Sequence, residues 1–191
     1  MKSIAVFCGS STGHDPVYSQ LAAELGRNFA RRGITLVYGA GNIGLMGVIA
    51  DAALENGGKV VGAIPHFLKE KEVFHKSLSE LISMDSMHER KAVMAERAEG
   101  FIALPGGFGT LDELFEILTW KQLGLHPHPV GLLNWNGYYD HLIAHIDRMI
   151  ETGFLKAANR HLLLISNDLD QLLDEMEKAP RSFETKWIER T

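Results

Sequence analysis

Seven short apolar runs punctuate this 191-residue chain, and longer stretches of helical period fill most of the gaps between them. The runs are Ile4–Phe7, Ile34–Tyr38, Val60–Ile64, Leu81–Met84, Phe101–Leu104, Val130–Leu133 and Leu162–Ile165. Most are continuously apolar and do not alternate, which is the pattern of parallel strands buried on both faces. Helices are expected over Val17–Arg32, Gly44–Asn56, Ser86–Ala98, Thr110–Leu123, Tyr138–Thr152 and Leu169–Lys178. In the fifth, Leu142, Ile143, Ile146, Met149 and Ile150 recur at spacings of three and four and form one apolar face. Strand and helix alternating along the whole length predict an α/β fold: a Rossmann-like, doubly wound, mostly parallel sheet in three α/β/α layers. No repeat, low-complexity tract or linker divides the chain. One domain over residues 1–191 is expected, long enough to bury a substantial core.

Bulk properties narrow the partners. A formal net charge of −5 gives no electrostatic reason to expect nucleic acid or an anionic membrane. Cys8 is the sole cysteine, so neither an intrachain disulfide nor a multi-thiolate metal site can form. No run approaches the ~18 apolar residues of a transmembrane helix. The opening "MKSIAVFCGSS" is too short in apolar residues for a signal-peptide core, so a cytoplasmic location is expected.

Open sheets of this type bind ligands outside the carboxyl ends of their strands. Glycine-rich segments fall there: "CGSSTG" after the first strand, "GAGNIGLMG" after the second and "PGGFGT" after the fifth. Glycine lets backbone N–H groups approach a ligand closely, and a helix N-terminus favours an anion. Gly9, Ser10, Gly41 and Gly44 are the candidate phosphate cradle. The second segment formally contains G-x-G-x-x-G, yet the region that should supply a ribose-binding acid reads "KVVGAIPHF". A G-K-[ST] ending is missing as well. An anion cradle without dinucleotide or triphosphate features remains, and a monophosphate fits it best.

In "PGGFGTLDE" the chemistry continues past the turn. With Thr110 as N-cap, Glu113 would stand at the third helical position and complete a capping box. The competing reading puts Glu113 at the ligand edge, beside whatever the glycines hold. The helix opening "DSMHERK" is capped by Asp85 or Ser86 and brings Arg90 and Lys91 to the same edge. There Arg90 would be a planar, bidentate phosphate ligand, whereas the plainer reading is a solvated charged face. His141 and His145 show H-x-x-x-H spacing without an accompanying glutamate. They flank an apolar stripe, and His126 and His128 lie around a proline turn, so no metal is assigned. Met46, Met84, Met87 and Met94 read as core filler.

"PGGFGTLDE", with "MHERK" upstream and the segments "CGSS" and "GAGNIGLMG", resembles the Lonely Guy family of cytokinin-activating phosphoribohydrolases, whose signature is PGGxGTxxE. The likeness runs from about Ile4 to Ile165. Most members carry Gly-Gly-Gly where this chain has "GAG", and Ala40 is expected to leave the turn intact. The resemblance implies hydrolysis of a purine nucleoside 5′-monophosphate to ribose 5-phosphate and a free base, adenine or an N6-modified adenine. It implies Arg90 and Glu113 as the catalytic pair. Substrate contacts would come from Glu72, Arg90, Lys91, Gly107, Phe108, Gly109, Thr110, Leu111, Asp112, Glu113 and Thr119. It implies a homodimer; hydrolysis needs only water and a preorganised pocket, so no cofactor is expected. Relatives have often been labelled lysine decarboxylases, a label that requires a cofactor-bearing lysine and a pyridoxal-phosphate fold, and neither is read here. Two other readings stay open: a non-catalytic nucleotide-binding module on the same fold, and a dinucleotide-dependent oxidoreductase, which the missing ribose acid weakens.

Overall fold

In the computed structural model, which describes residues 1–69 and 74–181, the apolar runs become one seven-stranded sheet. The strands are β1 (Ser3–Phe7), β2 (Thr35–Tyr38), β3 (Val60–Pro65), β4 (Glu80–Met84), β5 (Phe101–Ala103), β6 (Val130–Leu133) and β7 (Leu163–Ser166). Every pairing is parallel, and the order is β4-β3-β2-β1-β5-β6-β7. The chain therefore builds outward from β1 to β4, crosses back, and builds outward again from β5 to β7. The reversal falls between β1 and β5, where Val6 pairs with Ile102. That is the crevice where an open parallel sheet receives its ligand.

The helices are α1 (Pro16–Arg32), α2 (Gly44–Glu55), α3 (His66–Lys69), α4 (Met87–Arg97), α5 (Phe108–Gln122), α6 (Asp140–Glu151) and α7 (Leu169–Lys178). Side chains alternate across a strand, so each apolar strand serves two cores. Ile4, Val6 and Cys8 face α1, α2 and α7, with Leu25, Phe29, Ile49 and Leu172. Ala5 and Phe7 face the α4, α5 and α6 side, with Met94, Leu114, Ile117 and Ile146. The result is the expected three layers. Each fully buried Leu or Phe contributes about 1.5–3 kcal/mol of burial.

Local signals explain the helix ends. Asp15 caps α1 by accepting from the Val17 N–H at 2.9 Å, and Pro16 fits the first turn, where no donor is needed. Gly33 ends it in the left-handed region. Ser86 caps α4 by accepting from the Glu89 N–H, and Glu89 reaches back to the Asp85 N–H. No helix among the described residues is long and apolar enough to cross a membrane.

Candidate active site

Backbone hydrogen bonds knit the loops at the β1–β5 crevice. The Gly9 N–H donates to the Pro105 carbonyl at 3.1 Å, and the Gly9 carbonyl accepts from the Leu45 N–H at 3.0 Å. Gly44 has φ +64° and lies against the Ser10 backbone, so a side chain there would meet both strain and a clash. Gly9, Ser10 and Gly44 are thereby brought together at the start of α2. Gly41 lies one turn earlier and forms an antiparallel bridge with Phe74. Between Gly39 and Gly41, Ala40 is fully buried at φ +62°. The turn forms as expected, with a strain of about 1–2 kcal/mol that glycine would avoid.

The third loop departs from the capping-box reading. Helix α5 begins at Phe108, with Gly107 as an N-cap that supplies no side chain, so Glu113 is the sixth residue of the helix and caps nothing. Thr110 is buried in the first turn, its hydroxyl packed against Gly106. Among the described residues, no acceptor is present for the N–H groups of Phe108, Gly109 and Thr110. These orphan donors and the helix dipole make the start of α5 attractive to an anion. Tyr138 and Tyr139 steady the loop from α6's approach, donating to the Gly106 and Leu104 carbonyls at 2.9 and 2.6 Å. Helix α6 begins at Asp140, two residues after the expected Tyr138; the Tyr139 N–H is taken by the Asn134 side chain at 2.7 Å.

Helices α4 and α5 lie side by side, and Arg90 and Glu113, 23 residues apart in sequence, meet between them. Arg90 Nη2 donates to Glu113 Oε1 at 3.3 Å, with side chains only 11% and 12% exposed. Gly39, at the carboxyl end of β2, provides the space: its absent side chain is where the guanidinium sits. Arg90 Nε is buried without a partner among the described residues. Burial pushes the Glu113 carboxyl up to about 7; Arg90 opposes the rise and the Asp112 charge adds to it. Burial, with the Glu113 charge as a second cause, holds the Cys8 thiol far above the ordinary thiol range, so Cys8 is not a ready nucleophile.

Lys91 points the other way, reaching Asp112 at 3.1 Å and Glu116 at 3.0 Å. Burial alone would lower its pKa, but hydrogen bonds to Glu116 and Asp112 outweigh this and the net shift is upward. Lys91 is a held cation, one residue from the Arg90–Glu113 pair. Gly107, Phe108 and Gly109 are exposed at the rim, and Leu111 is half-buried, packing against the core at the flank of α5. Thr119 is exposed, about 9 Å along α5 from Glu113 and rotated away from it, and its hydroxyl donates to the Phe115 carbonyl at 2.7 Å. The fold does not bring it beside the pair within one chain. Glu72 lies outside the described residues. His141 and His145 are exposed on α6, while His126 is buried with Nε2 against the Ile117 carbonyl. Sequence reasoning missed Gly39 as the seat of Arg90 and Glu116 as a partner of Lys91; the i, i+4 spacing of Asp112 and Glu116, which puts both carboxylates on one face of α5, was the available signal.

A buried arginine–carboxylate pair beside uncapped helix N–H groups can grip an anion and stabilise a developing cation a few ångströms away. Comparisons with known proteins bear on that chemistry. The family model described as "Possible lysine decarboxylase" matches residues 46–176. A probable cytokinin riboside 5′-monophosphate phosphoribohydrolase of Oryza sativa subsp. japonica, LOGL9, is 46% identical over 177 residues, 93% of this chain and 78% of the relative. The cytokinin riboside 5′-monophosphate phosphoribohydrolase LOG5 of Arabidopsis thaliana is 46% identical over 176 residues, 92% of this chain and 77% of the relative. Among solved structures, the molybdenum cofactor binding protein of Rippkaea orientalis superposes with a TM-score of 0.69 at 20% identity, over 92% of this chain and 94% of that one. The molybdenum cofactor carrier protein of Chlamydomonas reinhardtii gives 0.67 at 20% identity, over 92% and 96%. At such identities these structures speak to the fold alone.

Proposed function

The chain belongs to the Lonely Guy family of cytokinin riboside 5′-monophosphate phosphoribohydrolases, and from that premise we propose that it hydrolyses the N-glycosidic bond of a purine nucleoside 5′-monophosphate. Water adds to C1′ of the ribose, the C1′–N bond breaks with its electron pair going to the base, and the base takes up a proton. The products are ribose 5-phosphate and adenine or an N6-modified adenine. The buried Arg90–Glu113 pair carries this reading. As the bond breaks, positive charge develops on the ribose, and the Glu113 carboxylate stabilises it in a site of low dielectric. Arg90 presents N–H donors in a planar fork, so its part is to hold the phosphate or ribose in the reacting geometry. The first turn of α5 and the cradle at Gly9, Ser10, Gly41 and Gly44 receive the phosphate, while Lys91, held by Asp112 and Glu116, fixes α4 against α5 beside the pair.

Incubating the protein with AMP and with isopentenyladenosine 5′-monophosphate, and assaying free base, tests the proposal. Release of neither base would leave a nucleotide-binding module. The protein acts as a single domain in the cytoplasm, and as a homodimer. The outer face of α5, where Phe115 is only half-buried and Phe108 is 94% exposed, supports the dimer. A monomeric mass in solution would count against it.

The raised carboxyl of Glu113 fixes a pH dependence. Only the ionised form stabilises the ribose cation, so kcat/KM should climb through pH 7 as Glu113 loses its proton. Activity at pH 6 is expected to be about a tenth of that at pH 8. The second ionisation of the substrate phosphate lies near pH 6, so the decisive comparison is with Glu113→Gln, whose residual activity should lack the limb near 7. A profile flat from pH 6 to 8 would remove the carboxylate from this role. A second expectation concerns metals. Water and a preorganised pocket suffice for the reaction, so activity should survive EDTA and need no added NAD or pyridoxal phosphate. Loss on chelation, with recovery on one divalent ion, would overturn this.

A further inference from the structure

The turn that seats Arg90 is strapped down from outside the active site. His75 is buried, and its backbone N–H donates to the carbonyl of Ala40 at 3.0 Å. The neighbouring residues Gly41 and Phe74 form an antiparallel bridge, so the chain at 74–75 lies across the turn at 40–41. The imidazole is fixed at both nitrogens. Nδ1 accepts from the Ser77 N–H at 3.2 Å, which places the proton on Nε2, and Nε2 donates to Asp51 Oδ1 at 2.8 Å. Asp51 belongs to α2, the helix whose first residues form the cradle. From below, Gly62 leaves room for the Ala40 side chain; a β-carbon at 62 would come within 2.8 Å of the Ala40 methyl.

We infer that Asp51 and His75 are a positioning pair: they hold Ala40 in a left-handed conformation that alanine resists, and so keep Gly39 shaped to seat the Arg90 guanidinium beside Glu113. The inference rests on the catalytic reading above. Its physical logic is compensation. A glycine would hold the turn without help, and alanine needs an outside hydrogen bond to its carbonyl, anchored here through an imidazole to α2. Neither Asp51 nor His75 touches the reacting atoms; both act through Arg90.

The test combines four substitutions. Asp51 is largely exposed, so changes there are compatible with folding. With isopentenyladenosine 5′-monophosphate as substrate, Asp51→Ala should lower kcat/KM about tenfold, since small misplacements of a positioning group carry costs of that order or more. Asp51→Asn keeps an acceptor for the imidazole and should stay within about twofold of wild type. Adding Ala40→Gly to Asp51→Ala should restore most of the loss, because glycine needs no clamp. In an Arg90→Ala background, Asp51→Ala should cost less than about twofold, since the group it positions is gone. An undiminished cost in that background would make the pair a general scaffold element and overturn the inference, as would wild-type rates in Asp51→Ala. If wild type releases no base, the catalytic reading fails instead. AMP affinity by calorimetry on the same variants then decides: weaker binding in Asp51→Ala restored by Ala40→Gly upholds the clamp, and unchanged binding overturns it.

Discussion

Glu113→Gln should fold, bind AMP, and turn over roughly 10²–10³-fold more slowly than wild type. The glutamine side chain matches the glutamate in size and can still accept from Arg90 Nη2. What it lacks is the charge, and the charge is what an oxocarbenium-like transition state requires. Stability moves the other way. The folded-state carboxyl sits near 7 and the unfolded value near 4.5, so the folded protein holds a proton that the unfolded chain releases between those values. Stability from this group is therefore present below pH 4.5 and lost as pH rises through 7. A neutral glutamine escapes that loss, and at pH 8 the variant should melt no lower than wild type. Arg90→Ala should also lose rate, and it strands the Glu113 charge in a buried site, so it should be the less stable of the two. Turnover, thermal unfolding and AMP binding, measured on the same preparations, separate these effects. Near-normal turnover in Glu113→Gln would remove the main catalytic assignment.

Those expectations depend on which parts of the molecule its sequence reveals. Continuous apolar runs correspond to parallel strands, and the expected bounds of β6 and α7, Val130–Leu133 and Leu169–Lys178, coincide with the observed ones. Helix α5 starts at Phe108, two residues before the expected Thr110. Gly109 looked like loop, yet it lies in the first helical turn, and Thr110 is spent on packing against Gly106. A capping box is a local pattern, and here tertiary packing decided against it. The short α3 carries too few residues for a period to register. Strand order, and with it the crevice at β1 and β5, is a product of crossovers that no local pattern encodes.

The site was legible to the same limited degree. Glycine loops and carboxyl ends of strands located the edge, and the family likeness paired Arg90 with Glu113. Nothing in a separation of 23 residues announces that α4 and α5 are neighbours. Gly39 was one glycine among several; only the guanidinium lying where its side chain would be gives it a task. Ala40 was read as harmless, and its strain appears only as a positive φ on a buried residue. Thr119 matched by motif, but helical geometry carries it away from the pair within one chain.

Removing the 5′-phosphate from the substrate should cost about a thousandfold in kcat/KM. The protein is acidic overall, with a formal net charge of −5, so long-range attraction cannot draw in a phosphate dianion. Binding must come from local donors. The first turn of α5 offers the N–H groups of Phe108, Gly109 and Thr110, which have no acceptor among the described residues, α2 begins at the neighbouring loop, and the buried Arg90 Nε likewise has no acceptor among the described residues. A hydrogen bond to a charged group contributes about 1.5–3 kcal/mol. Two such bonds give about 4 kcal/mol, and each 1.36 kcal/mol is a factor of ten. The phosphate lies remote from the breaking bond, so part of its binding energy is used to hold the ribose over Glu113; kcat should fall along with affinity. The measurement is kcat and KM for AMP against adenosine, and for isopentenyladenosine with and without its phosphate. A loss confined to KM would mean that the cradle only captures substrate. Comparable kcat/KM for nucleotide and nucleoside would show that the glycine loops and Arg90 do not form an anion cradle, and the reading built on them would fall.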